Sequence, residues 1–165
     1  MPWPSAITDI EQLKDRAEVA LLLASETVPV EAVKFDRDEL TIWVERTGIR
    51  DACRALMGGE TKYDALADLT CVDWYPSDPR FEVVYHLFST STKKRVRLKV
   101  KLPGSDASVD SLVPLWAGAS FFEREVFDLF GIRFLNHPDL RRILMPDDWE
   151  GHPLRKDYPV TGSRV

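Results

Sequence analysis

Residues 120–159, SFFEREVFDLFGIRFLNHPDLRRILMPDDWEGHPLRKDYP, hold most of the side chains in this chain that could do chemistry. Asp128, His137, Asp147, Asp148, Glu150 and His152 supply oxygen and nitrogen donors of the kind that bind metal ions. None of them falls at a recognised ligand spacing such as HExxH, and His137 and His152 are each pinned by a following proline. A stand-alone metal-dependent enzyme built on these tail residues stays open only as an alternative. Nucleophilic chemistry has less to stand on, because no serine sits in a GxSxG elbow. No GxGxxG or phosphate-loop motif exists, and His86 falls inside a strand-like run, as a packed or surface histidine would. Trp74, Tyr75, Trp116, Phe121 and Phe122 fit core and interface rather than a cofactor box.

The same stretch is rich in charges placed around one short helix. Ser120 as N-cap with Glu123 three residues on predicts a capping box for a helix over 121–130, and Gly131 supplies its stop. Glu123 and Glu125 suit the positive end of that helix, whereas Asp128 lies at the negative end and needs a cation. Arg124 at i−4 and Arg141 or Arg142 from beyond the helix are the candidates. Two readings stay open: these charges tie the tail to its own helix, or some of them pair with another subunit.

The elements that must carry this stretch read as α+β. Thr8 with Glu11 predicts a capping box for a first helix, with Ile10, Leu13, Ala17, Ala20, Leu21 and Ala24 on one face. Residues 28–35 and 39–45 read as strands joined through Asp36-Arg37-Asp38, and a helix from Thr47 to about Met57 ends at Gly58-Gly59. Residues 67–75, 80–89 and 94–101 read as an antiparallel meander, the last alternating Val96, Leu98 and Val100 with Arg95, Arg97 and Lys99. A short helix is expected over Val109–Trp116 before the one at 121–130, whose core stripe is Phe122, Val126, Leu129 and Phe130. The pattern predicts a two-layer domain over 1–134, with a mixed or antiparallel sheet packed on helices. A long extended tail that docks a partner follows over 135–165.

Pro138, Pro146, Pro153 and Pro159 break that tail into pieces. Fully stretched, residues 132–165 reach ~110 Å. The tail repeats one small device: His137-Pro138-Asp139-Leu140-Arg141-Arg142 and His152-Pro153-Leu154-Arg155-Lys156 each put a rigid bend ahead of two cations. With no sustained hydrophobic period after Phe134, the tail is expected to be mobile in the free chain and ordered on docking. Arginines, a tryptophan and fixed bends are the composition of a permanent interface, where a pre-set backbone lowers the entropy cost of docking.

Bulk properties narrow the classes further. A net charge of −5 argues against nucleic acid as a partner. Cys53 and Cys71 have no flanking Cys or His at ligand spacing, so the chain alone completes no zinc or iron–sulfur site; a disulfide is open in principle, and buried or partly buried reduced thiols are the expectation. Met1-Pro2-Trp3-Pro4 has neither a basic start nor an apolar run, so no signal peptide is expected. The most apolar stretch, Val19 to Ala24, is far short of the ~20 residues of a membrane span. A soluble chain is expected, reaching any membrane only through partners.

Glu123-Arg124-Glu125, Asp128-Leu129-Phe130-Gly131-Ile132, His137-Pro138-Asp139-Leu140-Arg141-Arg142-Ile143-Leu144 and Pro146 through Pro159 together resemble the C subunit of respiratory complex I, the NADH-quinone oxidoreductase. Residues 1–119 match that family in layout only. The resemblance implies a non-redox component of the hydrophilic arm, with no cofactor of its own and FMN and iron–sulfur clusters in partner subunits. It implies docking on the D subunit, which carries the quinone site, and on the neighbouring B subunit, at the cytoplasmic face of the cell (inner) membrane. The interface role passes to Glu123, Arg124, Glu125, Asp128, His137, Pro138, Arg141, Arg142, Trp149, His152, Arg155, Lys156, Asp157 and Tyr158, none of them catalytic. The equivalent component of a ferredoxin- or deazaflavin-dependent relative, or of a membrane-bound hydrogenase, is the alternative within the same resemblance.

Overall fold

The computed structural model describes residues 5–161, so the extreme ends of the two expected segments lie outside the described residues. Two compact units emerge: Met1–Asp68 with Val84–Val100, and Leu69–Val83 with Lys101–Val165. A five-stranded sheet is shared along the chain, in the order β1-β2-β5-β4-β3. Its strands are β1 (Val30–Asp36), β2 (Glu39–Val44), β3 (Ala65–Asp73), β4 (Phe81–Phe88) and β5 (Arg95–Leu102). It is mixed, because β1 and β2 run antiparallel while β2 and β5 run parallel. The fold is α+β, as consecutive strand patterns joined by short turns predict.

In the first unit, β1 and β2 form a hairpin closed by Arg37 and Asp38, with φ of 51° and 63°. Both central residues in the left-handed region match the right-handed twist of the flanking strands, as a two-residue hairpin requires. Helix α3 (Ile49–Gly58) buries Ile49, Ala52, Cys53 and Leu56, one stripe at helical spacing, and Gly59 follows it as C-cap. The expected first helix is two pieces, α1 (Ile10–Leu13) and α2 (Ala17–Leu23). Asp9, not Thr8, caps α1, its carboxylate accepting from Glu11 N at 2.9 Å. The break falls at Arg16, whose extended backbone (ψ 133°) accompanies a guanidinium laid over the Phe35 ring, 3.5 Å from its centroid.

The second unit carries the charged stretch. Residues 109–116 are not a helix: Ser108–Asp110 is strand β6, paired in parallel with β7 (Arg133–Leu135), and turns follow. Pro114 disfavours helical backbone at Val113, and the N–H groups of Ser111 and Leu112 are spent on Leu135 O and the Glu123 carboxylate. Helix α4 (Ala119–Phe130) begins at Gly118, without a side-chain cap. Ser120 therefore caps nothing, and the capping box is absent. Glu123 is instead fully buried and accepts from Ser111 Oγ at 2.7 Å and Leu112 N at 2.6 Å. Of the expected stripe, Val126 and Phe130 are buried, while Phe122 and Leu129 are only partly covered. Gly131 ends α4 as anticipated, at φ 75° with its N–H on Phe127 O.

Candidate functional site

Beyond β7 the chain forms no further helix or strand among the described residues, and proceeds as a series of tight turns. What fixes those turns is the C-terminal end of α4. The last turn of a helix leaves its carbonyls without intrahelical donors. Here Phe127 O takes the Gly131 N–H, and the tail takes the rest. Asp128 O accepts from His152 Nδ1 (2.9 Å) and Arg142 Nη1 (3.2 Å), Leu129 O from Leu154 N (3.0 Å), and Phe130 O from Arg155 Nε (2.5 Å). Arginine donors at this end also answer the partial negative charge of the helix terminus.

Asp128 is the hub of this arrangement. Its side chain is fully buried. One carboxylate oxygen accepts from Arg142 Nη1 at 2.6 Å, and the other gathers the N–H groups of Ile143, Leu144 and Met145 at 3.0, 2.8 and 2.9 Å. Burial alone would raise the carboxyl above its ordinary value. The three N–H groups and the guanidinium outweigh it, and the group is held below the usual carboxylate range. Arg142 spends its other nitrogen on the carbonyls of Trp149 and Gly151, at 2.8 and 3.0 Å. So Arg142, among the three candidates, is the partner Asp128 needs. Arg124 instead reaches the carbonyls of Arg141 and Arg142, and Arg141 pairs with Asp139 on the surface.

A second hub lies further along the tail. Arg80, immediately before β4, bridges two carboxylates, with Nε and Nη2 on Asp73 (2.9 and 2.8 Å) and Nη1 and Nη2 on Asp157 (2.9 and 2.6 Å). Asp73 also accepts from the N–H groups of Tyr75 (3.0 Å) and Lys156 (2.8 Å). The Arg80 guanidinium, against the opposing effect of burial, holds the Asp73 carboxyl down at about 2. Asp73 and Arg80 carry no signal in the sequence. They lie far from Asp157 along the chain, at no telling spacing, and only the fold brings the three together.

The remaining sequence-predicted residues divide by exposure. His137 accepts from Asp139 N at 2.9 Å and faces Ser120 O at 3.4 Å, so the two histidines of the repeated device bracket α4, one toward each end. His152 also meets Phe127 edge-on, and burial holds its imidazole below the ordinary value. The Tyr158 ring packs against Gly151, whose φ of 79° and missing Cβ make the approach possible. Trp149 is half-buried, whereas Glu125, Pro138, Arg141 and Lys156 are exposed. Expected at an interface, Glu123 and Asp128 have their carboxylates turned inward and serve this chain's own loops. Of the two readings of the tail's charges, the ties within this chain are present at both hubs, through Arg142 on Asp128 and Arg80 on Asp157. The same unit also exposes large apolar side chains: Phe121 is 63% exposed, Leu144 60% and Leu154 50%, with Trp74, Tyr75, Leu135 and Ile143 on the surface as well.

Chemically the buried charges of this unit are matched by fixed donors, and apolar groups face outward. Among the described residues no three His, Cys, Asp or Glu side chains gather to hold a metal, and no helix is long and apolar enough to cross a membrane. Both cysteines are free and buried, and burial pushes the Cys71 thiol up to about 12.

Comparison with known proteins agrees with the layout. Residues 42–164 match the model of the family described as respiratory-chain NADH dehydrogenase, 30 Kd subunit. The NADH-quinone oxidoreductase C subunit of Citrifermentans bemidjiense is 46% identical over 153 residues, covering 93% of this chain and 89% of that protein. The C subunit of Geobacter sulfurreducens is 50% identical over 131 residues, covering 79% of this chain and 80% of its own length. Among solved structures, the trypsin-resistant fragment (1-134) of Nqo5 superposes with a TM-score of 0.59 at 30% identity, over 79% of this chain and 98% of that one. A chain of the membrane-bound sulfane sulfur reductase, an archaeal respiratory membrane complex, gives 0.71 at 25% identity, over 86% of this chain and 82% of its own.

Proposed function

The chain belongs to the 30 Kd subunit family of respiratory-chain NADH dehydrogenase, and from that premise we propose that it is a non-redox interaction subunit of a proton-translocating NADH:quinone oxidoreductase. Its tail and the exposed apolar surface beside it clamp the D subunit, which carries the quinone site, and the neighbouring B subunit. Electrons travel from NADH through FMN and iron–sulfur clusters held by other components to quinone. This chain sits at the cytoplasmic face of the membrane through those partners.

The observation that carries the reading is the joint presence of a tail pinned on buried Asp128 and large apolar side chains left outside it. Covering Phe121, Leu144 and Leu154 would each contribute roughly 1.5–3 kcal/mol if burial were complete. Because the backbone of 142–145 is already fixed by Asp128, little ordering entropy remains to be lost on docking. Glu125, Arg141 and Lys156, exposed around it, suit a polar rim.

A second reading has its own support in the sulfane sulfur reductase likeness: the same role in a relative that draws electrons from a ferredoxin or another donor. Affinity purification of the full chain from native membranes tests both. Co-purification of the quinone-site subunit with a flavin-bearing NADH dehydrogenase module supports the first, and recovery of the quinone-site subunit without that module supports the second. Recovery of the chain alone, with Leu144→Asp as a control that changes nothing, rejects the docking role altogether.

A further inference from the structure

An open sheet in the order β1-β2-β5-β4-β3 ends in two edge strands, β1 and β3, and the chain treats them in opposite ways. An unpaired edge offers a row of main-chain N–H and C=O groups to any extended chain, and charges, irregular pairing or a covering segment blunt it. β1 has all three. Glu31, Lys34 and Asp36 lie along it, and its register shifts between Val30 and Ala32. Ile7 covers it, exchanging N–H···O bonds with Phe35 at 2.9 and 2.8 Å.

β3 has none of these devices. It runs for nine residues, ALADLTCVD, with no Lys, Arg, Pro or Gly. Among the described residues no strand pairs beyond it, and no turn or loop lends its main chain to its outer side. The direction of its groups follows from Trp74, whose N–H donates across the strand pair to Arg80 O at 2.8 Å. Main-chain groups alternate between the two sides of a strand, so those of Val72, Thr70 and Asp68 also point inward to β4. The N–H groups of Ala67, Leu69 and Cys71 therefore point outward.

The chemistry of that edge selects its occupant. Alternating donors and acceptors at strand spacing are matched by another extended polypeptide, the basis of recognition by strand addition. Beside the edge, on one face, Asp68 and Thr70 are exposed and Val72 is partly covered. β3 contains no cation, so a second copy paired edge to edge would bring nothing to face Asp68. A segment with Lys or Arg opposite Asp68 and an apolar residue opposite Val72 matches both.

We propose that β3 accepts an extended segment of a partner subunit as a sixth strand, main chain to main chain at Ala67, Leu69 and Cys71, with a cation of that segment opposite Asp68. This contact rests on the docking role and adds to it a different kind of bond, made by the backbone and not by the tail's outward side chains.

Hydrogen exchange tests it by comparing the free full chain with the same chain in the complex purified from native membranes. In the complex the amides of Ala67, Leu69 and Cys71 should slow about tenfold or more, while those of Asp68, Thr70 and Val72, bonded to β4 in both states, change little. That alternating gain is the signature of an added strand. Unchanged outward amides in a complex that retains its partners overturn the sixth strand and leave the docking role standing, whereas recovery of the chain alone overturns both. Outward amides protected in the free chain, increasingly so with concentration, assign the edge to a second copy and overturn the partner segment.

Ala67→Pro supplies a second arm, since it deletes one outward N–H at an exposed edge position where a strand tolerates proline. Recovery of the complex should fall about fivefold or more, with the melting of the free chain unchanged, and Ala67→Thr, which keeps the N–H, should assemble as the native chain does. Native recovery with Ala67→Pro refutes the proposal. If that variant melts early, Asp68→Lys at an exposed position decides in its place: a cation set against the partner's cation lowers recovery, and native recovery is again the refuting result.

Discussion

Replacing Asp128 by asparagine isolates what the buried carboxylate does for the tail. The amide keeps one oxygen for the N–H groups of Ile143, Leu144 and Met145 but turns an NH₂ toward Arg142 Nη1, setting donor against donor where the native pair meets at 2.6 Å. Removing one partner of a buried pair costs about 3–5 kcal/mol, much of it from the charge left behind. Arg142 also holds the Trp149 and Gly151 carbonyls, so the loss spreads through that turn. These contacts bind the tail alone, so the cost should appear as local opening and not as global unfolding. Hydrogen exchange on the free chain reads it directly. The amides of 143–145 should exchange about a hundredfold faster or more in Asp128→Asn, at about 1.4 kcal/mol per decade. Amides in β5 should keep their protection. Unchanged exchange at 143–145, or a loss in β5 of the same size, would refute the assignment of Asp128 as the tail's anchor.

Gly131→Ala places a side chain at φ 75° and drives its Cβ into His152 and Arg155, so a loss of about 2 kcal/mol or more is expected in urea unfolding, with the tail's exchange accelerated. Asp73 has its carboxyl lowered from 3.8 to about 2, so its contribution is complete above the unfolded value. That contribution is about 2 kcal/mol, lost as pH falls from roughly 4 toward 2. Asp128 and Asp157, also lowered, act in the same direction. Acid titration of tail exchange should therefore show release below pH ~4 in the native chain and a much smaller step in Asp73→Asn. Arg142→Ala should free the tail much as Asp128→Asn does. Arg141→Ala, which loses only an exposed pair with Asp139, should leave exchange within about 0.5 kcal/mol and lower only the recovery of partner subunits.

Local rules that depend on few residues are readable from the sequence. Gly131 stops α4 in the left-handed region because no side chain obstructs it there, and Asp36 to Glu39 is short enough that only a hairpin fits between two β-rich runs. Rules that depend on competition between partners are not. Glu123 three residues after Ser120 has the spacing of a capping box, yet Ser111 Oγ and Leu112 N, brought over α4 by the β6–β7 pairing, hold its carboxylate in the interior. Val109 to Trp116 has a helical rhythm, but its first residue pairs with Phe134, a partner that no local window contains. Arg80 is silent for the same reason, since its value lies in joining Asp73 to Asp157 across most of the second unit's sequence. The charged stretch itself is legible as a unit but mixes two purposes that only geometry separates. Its inward-turned members, Asp128, Arg142, His152 and Arg155, finish the end of a helix that would otherwise leave carbonyls exposed, while Arg141, Lys156, Phe121 and Leu144 face outward. The inward set fixes the backbone on which the outward set is displayed. A tail of this kind therefore holds its outward side chains in place only as well as it first satisfies its own helix.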